Sequence, residues 1–214
     1  MKKILLLNGS PRKEGQTNIL IDEILKQCNE YIKTLNKEAE ISTEKLQISD
    51  YNISFCTGCD ACLKKPNVCP LSEKPEDSMK LLEQKFSEAS ALIFGAPSYF
   101  GSMPAQLKVL IDRSRPWKMS GYKLKEKIFS AVATSGLDNG GIGSTLESLH
   151  AFATTHAMII LPAAGHPVLI PNLIGSTLQG NGLKEFRPIN QLSEVAINGA
   201  KALAQRIVDY LLKF

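Results

Sequence analysis

Short apolar runs alternate with longer stretches of helical periodicity along most of the chain, and the alternation predicts its elements in order. KILLLNG (3–9) holds an uninterrupted apolar run, Ile4 to Leu7, and stops at glycine, the pattern of a strand buried on both faces. TNILIDEILKQCNEYIKTL (17–35) sets Ile19, Leu20, Ile24, Leu25 and Cys28 at helical spacing. AEISTEKLQI (39–48) alternates only in part and reads as an exposed or edge strand. A helix over 79–89 leads to the strand ALIFGAP (91–97), and a helix over 104–114 opens on Pro104, a favoured first helical residue. The strand at 128–136 ends at a glycine, a helix covers 143–156, and a last strand covers 157–163. Residues 165–190, rich in Gly, Pro and Asn, are expected to be irregular, and 193–214 forms a closing amphipathic helix capped by Ser193.

Five strands separated by helices make this an α/β chain with a doubly wound, five-stranded parallel sheet and helices on both faces. A single domain over 1–214 is expected, with a cysteine-rich loop inserted at about 49–78. Ligands of such sheets sit beyond the carboxyl ends of the strands, where the strand order reverses. That directs attention to the loops 8–17, 49–78, 95–104 and 134–143.

Composition narrows the function classes. Of 214 residues, 43% are hydrophobic and 21% charged, an ordinary soluble balance. No apolar run approaches the ~20 residues that span a bilayer. The apolar stretch near the start, Ile4 to Leu7, is too short for a signal peptide, so the cytoplasm is expected and no membrane. The net charge of +4 arises from 25 basic and 21 acidic residues scattered along the chain. With no dense basic patch laced with aromatics, no nucleic-acid partner is expected.

The first loop, NGSPRKEGQTN (8–18), offers the hydroxyls of Ser10 and Thr17, the cation of Arg12 and a helix N-terminus. Those groups suit a phosphate monoester. The loop matches neither G-x-G-x-x-G nor G-x-x-x-x-G-K-[ST], so neither a dinucleotide fingerprint nor a nucleoside-triphosphate loop is present. Read without its context, it is equally a polar turn in which Thr17 or Asn18 caps the helix. GAPSYFGSMP places Tyr99 and Phe100 at the end of a strand, against either a ligand ring or the next helix. TSGLDNGGIGS (134–144) has four glycines, which permit close approach of main chain to a ligand or simply make a mobile loop. His150, His156 and His166 show no ligand spacing and are assigned no role.

Four of the five cysteines lie in FCTGCDACLKKPNVCP (55–70), as C-x2-C-x2-C-x6-C: Cys56, Cys59, Cys62 and Cys69. Clustered thiols in a cytosolic chain favour metal or redox chemistry over disulfides. Three thiolates in quick succession and a fourth shortly after can hold the corners of a [4Fe–4S] cluster. Structural zinc sites usually pair two knuckles a dozen or more residues apart, so zinc ranks second. Disulfides need an oxidising compartment, and a set of idle thiols is the remaining alternative. Cys28, on the first helix, reads as a plain core or surface thiol.

The first loop, the cysteine stretch and GAPSYFGSMPAQLKVLIDR together resemble the flavodoxin-like FMN reductase superfamily, and within it the iron–sulfur flavoproteins and their NAD(P)H-dependent oxidoreductase relatives. The resemblance runs from residue 3 to about 160. It implies a flavodoxin-like fold with FMN bound at its phosphate by Ser10, Arg12, Gln16, Thr17 and Asn18. Pro97, Ser98, Tyr99, Phe100 and Gly101 would line the isoalloxazine ring, and Ser135, Gly136, Gly140 and Gly141 would close the pocket. It also implies a [4Fe–4S] cluster on the four clustered cysteines and a flavin-dependent electron-transfer oxidoreductase, with NAD(P)H as a candidate donor. A cluster-free quinone, nitro-compound or FMN reductase and a flavodoxin-like electron carrier are the alternatives. The expected partners are a small-molecule or protein electron donor or acceptor, such as ferredoxin. A homo-oligomer, dimer or tetramer, is expected as well. Trp117 then sits either at a subunit contact or packed within its own domain.

Overall fold

The computed structural model describes residues 1–66, 68–136, 140–163, 192 and 194–214. Five strands form one sheet: β1 (Lys2–Asn8), β2 (Ile41–Gln47), β3 (Ala91–Pro97), β4 (Ile128–Thr134) and β5 (Ile159–Ile160). All neighbours are parallel, in the order β2-β1-β3-β4-β5. The helices are α1 (Gln16–Thr34), α2 (Ala61–Lys64), α3 (Met79–Glu88), α4 (Ala105–Arg113), α5 (Arg115–Met119), α6 (Ile142–Thr155) and α7 (Glu194–Lys213). This is the doubly wound sheet that the alternation predicts, with β2 at an edge as its weak periodicity requires.

Differences are local. Pro104 lies just before α4 in extended backbone, with ψ 151°, so the helix begins one residue later than expected. Ala157 takes a left-handed conformation (φ 56°) where the chain leaves α6, and β5 is therefore shorter than the apolar run 157–163. The short helices α2 and α5 have too few residues to show a period. The segment 165–190 with His166, and the expected cap Ser193, lie outside the described residues.

The uninterrupted apolar run of β1 is buried on both faces because each face has its own helical layer. Leu5 and Leu7 pack with Phe86 of α3, Leu107 and Leu110 of α4, and Leu149 and Phe152 of α6. Ile4 and Leu6 pack with Leu20, Ile21 and Ile24 of α1 and Leu203, Ile207 and Val208 of α7. Phe94 of β3 lies with its ring centroid 5.7 Å from Phe86, 5.2 Å from Phe129 and 5.5 Å from Phe152. Trp117 is only 2% exposed and packs its ring 5.4 Å from Phe86, so it belongs to its own chain's core. Cys28 is buried too, and desolvation pushes its thiol up to about 12, which leaves it an inert core group.

His156 ends α6 in a buried position. Its Nε2 is 2.8 Å from Ser114 Oγ, and that hydroxyl donates to Ile111 O at 2.7 Å. The serine proton is thus already used, so the ring donates from Nε2–H and stays neutral. Burial, with some help from Lys118, lowers its pKa to about 4. Between that value and the ~6.5 of an unfolded histidine, the unfolded chain binds a proton that the native chain does not. Stability is therefore full above pH ~6.5 and falls as pH drops toward 4, by on the order of 2–3 kcal/mol through this group. Thermal melts from pH 7 to 4.5 should show a shallower decline for His156→Gln, which keeps a donor to Ser114. Equal slopes in the two proteins would remove His156 from the account.

Candidate functional site

The chain leaves β1 for β2 on one side and returns to β3 on the other, so the loops after β1 and β3 diverge and open a crevice at the carboxyl edge. The three strand ends are level there, since Asn8 is in register with Gln47 and with Gly95. Asn8 sets the first loop: its Oδ1 accepts from Ser10 N at 3.1 Å and its Nδ2 donates to Gln47 Oε1 at 2.6 Å. Gln47 Nε2 in turn donates to Ser10 O at 2.7 Å, and Arg12 N donates to Ser10 Oγ at 3.1 Å. The loop is held before any ligand arrives.

A pocket of 570 Å³ occupies the crevice, within the ordinary size of a cofactor site. From the first loop it takes Ser10, Arg12, Gln16 and Thr17, from the second Pro97, Ser98, Tyr99, Phe100 and Gly101, and from the third Ser135, Gly136, Gly140 and Gly141. Every flavin-site residue expected from the sequence is therefore brought to one pocket except Asn18. The Asn18 side chain turns away, accepting from Lys45 Nζ at 2.7 Å and donating to Asp22 Oδ2 at 2.7 Å. One helical residue beyond Thr17 points about 100° further round the helix, which is enough to miss the pocket. Gly15 and Thr134 also line it, and neither is among the flavin-site residues that the resemblance implies. Thr134 Oγ1 lies 2.7 Å from Thr17 Oγ1 and so ties the end of β4 to the start of α1.

The pocket receives the N-terminal ends of α1 and α6, whose backbone N–H groups and dipoles favour an anion. At its mouth, Tyr99 and Ser102 pair through hydrogen bonds of 2.8 and 3.1 Å, with Phe100 (φ 51°) and Gly101 (φ 76°) at the turn between them. Positive φ at both central residues is the type I′ arrangement. Phe100 pays strain for it and stands fully in solvent at the pocket rim. Ser98 Oγ is buried at the same pocket with no hydrogen-bond partner among the described residues. A buried hydroxyl in that state fits a polar ligand that completes it. The hydroxyls, the cation, the two helix ends and the orphan Ser98 together suit a phosphorylated flavin.

The second site lies between β2 and α3. Cys56, Cys59, Cys62 and Cys69 line one cavity together with Asp112, Arg113, Arg115 and Pro116 of α4 and α5. Cys56 and Cys59 are exposed, and Cys62 and Cys69 are half-buried. The thiol of Cys59 is held below its usual pKa, chiefly by the backbone N–H of Ala61 and then by the Thr57 hydroxyl. Among the described residues, no three His, Cys, Asp or Glu side chains are grouped tightly enough to hold a single metal ion. The four thiols share a cavity without converging on a point. Four thiolates are the donor set that a [4Fe–4S] cluster takes, and equally that of a structural zinc.

Nothing in the sequence pointed to the groups that support this loop. Arg113 Nη1 donates to Ser54 O at 2.7 Å and to Asp77 Oδ2 at 2.8 Å. Its Nη2 donates to Ser72 Oγ at 2.9 Å and to Asp77 Oδ1 at 3.2 Å. Burial works against the charge of Asp77, but the hydrogen bonds from Arg113, Met79 N and Ser54 N hold its carboxyl below the usual range. At the exposed end of the loop, Arg115 pairs with Asp60 at 2.8 Å.

The sequence model of the NADPH-dependent FMN reductase family matches residues 2–166. This chain belongs to that family. It is a flavin-dependent oxidoreductase with a flavodoxin-like α/β fold, and FMN is the flavin by which the family is described. It is similar to an iron–sulfur flavoprotein of Archaeoglobus fulgidus, with 40% identity over 97% of this chain and 94% of that protein. An iron–sulfur flavoprotein of Methanosarcina thermophila is 32% identical over 77% of this chain and 79% of its own length. In fold it is similar to a flavodoxin, WrbA-like protein from Agrobacterium tumefaciens, with a TM-score of 0.62 and 16% identity over 99% of this chain and 98% of that one. No helix among the described residues is long and apolar enough to cross a membrane.

Proposed function

We propose that this protein is an FMN-dependent electron-transfer oxidoreductase that also carries a [4Fe–4S] cluster on Cys56, Cys59, Cys62 and Cys69, with NAD(P)H as a donor. The observation that carries the reading is the assembly of two separate sites on one frame. One is a pocket suited to a phosphorylated flavin, and the other is a cavity lined by four thiols. The names of the similar proteins support the second half, since they are iron–sulfur flavoproteins.

A bound flavin accepts a hydride or single electrons, and a cluster passes one electron at a time. The chain's own residues bind and orient. Ser10, Arg12, Gln16 and Thr17 hold the phosphate at the start of α1. The turn from Tyr99 to Ser102 and the glycines at 140 and 141 bracket the ring. Hydride transfer to a flavin requires no acid or base from the protein, so no catalytic residue is assigned. The partner is a small-molecule or protein electron donor or acceptor. We also propose a homo-oligomer. The groove beside α4, α5 and α6, where Ile111 and Met119 lie among Lys108, Arg115 and Lys118, is the surface proposed for that contact.

A second reading, a cluster-free NAD(P)H-dependent reductase, is favoured by the spread of the four thiols. Iron, sulfide, zinc and FMN per chain, measured on protein purified without oxygen, separate the two. About four iron, four sulfide and one FMN are expected for the cluster-bearing protein. FMN with zinc or with no metal would leave the simple reductase, and absence of FMN would end both readings.

A further inference from the structure

We propose that Arg113 serves the group held by the cysteine loop in two ways: its Nη hydrogens clasp the loop shut, and its Nε–H donates a hydrogen bond to a sulfur of that group. The inference rests on the cluster reading above.

A guanidinium carries five N–H groups in a fixed planar fork. Four of them, on Nη1 and Nη2, reach Ser54 O, Ser72 Oγ and both oxygens of Asp77 at 2.7–3.2 Å. Ser54 lies two residues before Cys56 and Ser72 three residues after Cys69. The same side chain thus fastens both ends of the loop to the last residue of α4. The fifth donor, Nε–H, is buried and has no hydrogen-bond partner among the described residues. Arg113 is 1% exposed, so bulk water does not satisfy it, and an unpaired charged donor in that position is costly. The residue lines the cavity of the four cysteines. The acceptors that a cluster brings to such a cavity are sulfurs, thiolate or inorganic sulfide.

A donor to sulfur favours the more negative state of a cluster and raises its potential. Arg113→Lys keeps the positive charge and can still meet Asp77. A single ammonium cannot bridge Ser54 and Ser72, however, and it has no Nε. Three measurements test the proposal. First, redox titration of the cluster in anaerobically purified Arg113→Lys should show a tenfold shift against the reduced state, about 59 mV lower for one electron. Second, alkylation of the four loop cysteines in metal-free protein, followed by mass spectrometry, should be several-fold faster in the variant. Third, wild-type protein labelled with [15N]arginine should show a nitrogen coupling to the paramagnetic cluster in pulsed EPR. That coupling should persist in Arg115→Lys. The third measurement does not depend on the folding of Arg113→Lys.

A cluster-bearing Arg113→Lys protein with an unshifted potential would overturn the inference, as would a wild type without the coupling. Unchanged alkylation would overturn the clasp. Wild-type protein without iron would overturn the cluster reading itself, and this inference with it.

Discussion

Asp77→Ala should lower folding stability by roughly 3–5 kcal/mol, seen as a large drop in the urea midpoint with little change in slope. The Asp77 side chain is fully buried and its partner Arg113 is 1% exposed, so solvent does not screen the pair. The carboxylate also accepts from Met79 N at 3.0 Å and from Ser54 N at 3.2 Å. Alanine would leave a guanidinium buried without its counter-charge, and two backbone donors without an acceptor. Most of the loss comes from the charge left behind rather than from the attraction removed. It follows that Asp77→Ala/Arg113→Met should be more stable than Asp77→Ala alone, since methionine fills much of the volume and brings no charge. A double variant as unstable as the sum of the two singles would show that the pair is not coupled in this way.

Gly141→Ala should raise the dissociation constant for FMN by about 100-fold, equivalent to roughly 2.7 kcal/mol. Gly141 lies just before α6 at φ 77°, where a side chain is strained whatever the space. A Cβ there would also lie 2.5 Å from Ser98 Oγ and 2.6 Å from Gly101 Cα. The second of these contacts is backbone and cannot swing aside, so the loop after β3 and the loop after β4 must separate. Those loops form two walls of the pocket, and Ser98 is its buried unpaired hydroxyl. Titration of apoprotein with FMN by fluorescence quenching measures the effect. Gly143→Ala is the control: it lies inside α6, nothing is within 4 Å of its added Cβ, and it should bind FMN normally. Equal affinities for Gly141→Ala and wild type would mean that the two loops do not bracket the flavin.

The sheet, the flavin pocket and the cysteine loop differ in how far the sequence alone specifies them. β1 and β3 were plain because a strand covered on both faces must be apolar at every position, and few other structures need such a run. α1 and α7 were plain because a helix covered on one side carries a periodic stripe. The loops of the pocket follow from the fold, since the ends of parallel strands place consecutive loops side by side, while the individual residues come from the resemblance. Within a loop the resolution of that argument is one residue. Thr17 faces the pocket and Asn18 does not, a difference of helical phase that composition does not encode.

By itself, then, the sequence determined the parallel sheet, the succession of its elements along the chain, the loops at its carboxyl edge and the grouping of four thiols in one connection. Each of these depends on local pattern or on short spacing, which survives in a one-dimensional string. Only the tertiary structure decided what supports the cysteine loop. Asp77 and Arg113 are 36 positions apart, and although Arg113 closes the segment GAPSYFGSMPAQLKVLIDR, nothing in that segment points to Asp77. Their pairing, the burial that makes it strong, and the one guanidinium N–H left over arise from α4 crossing beneath a loop that ends far upstream. Trp117 was settled in the same way, because whether an aromatic faces its own core or a neighbour depends on what the sheet brings against it.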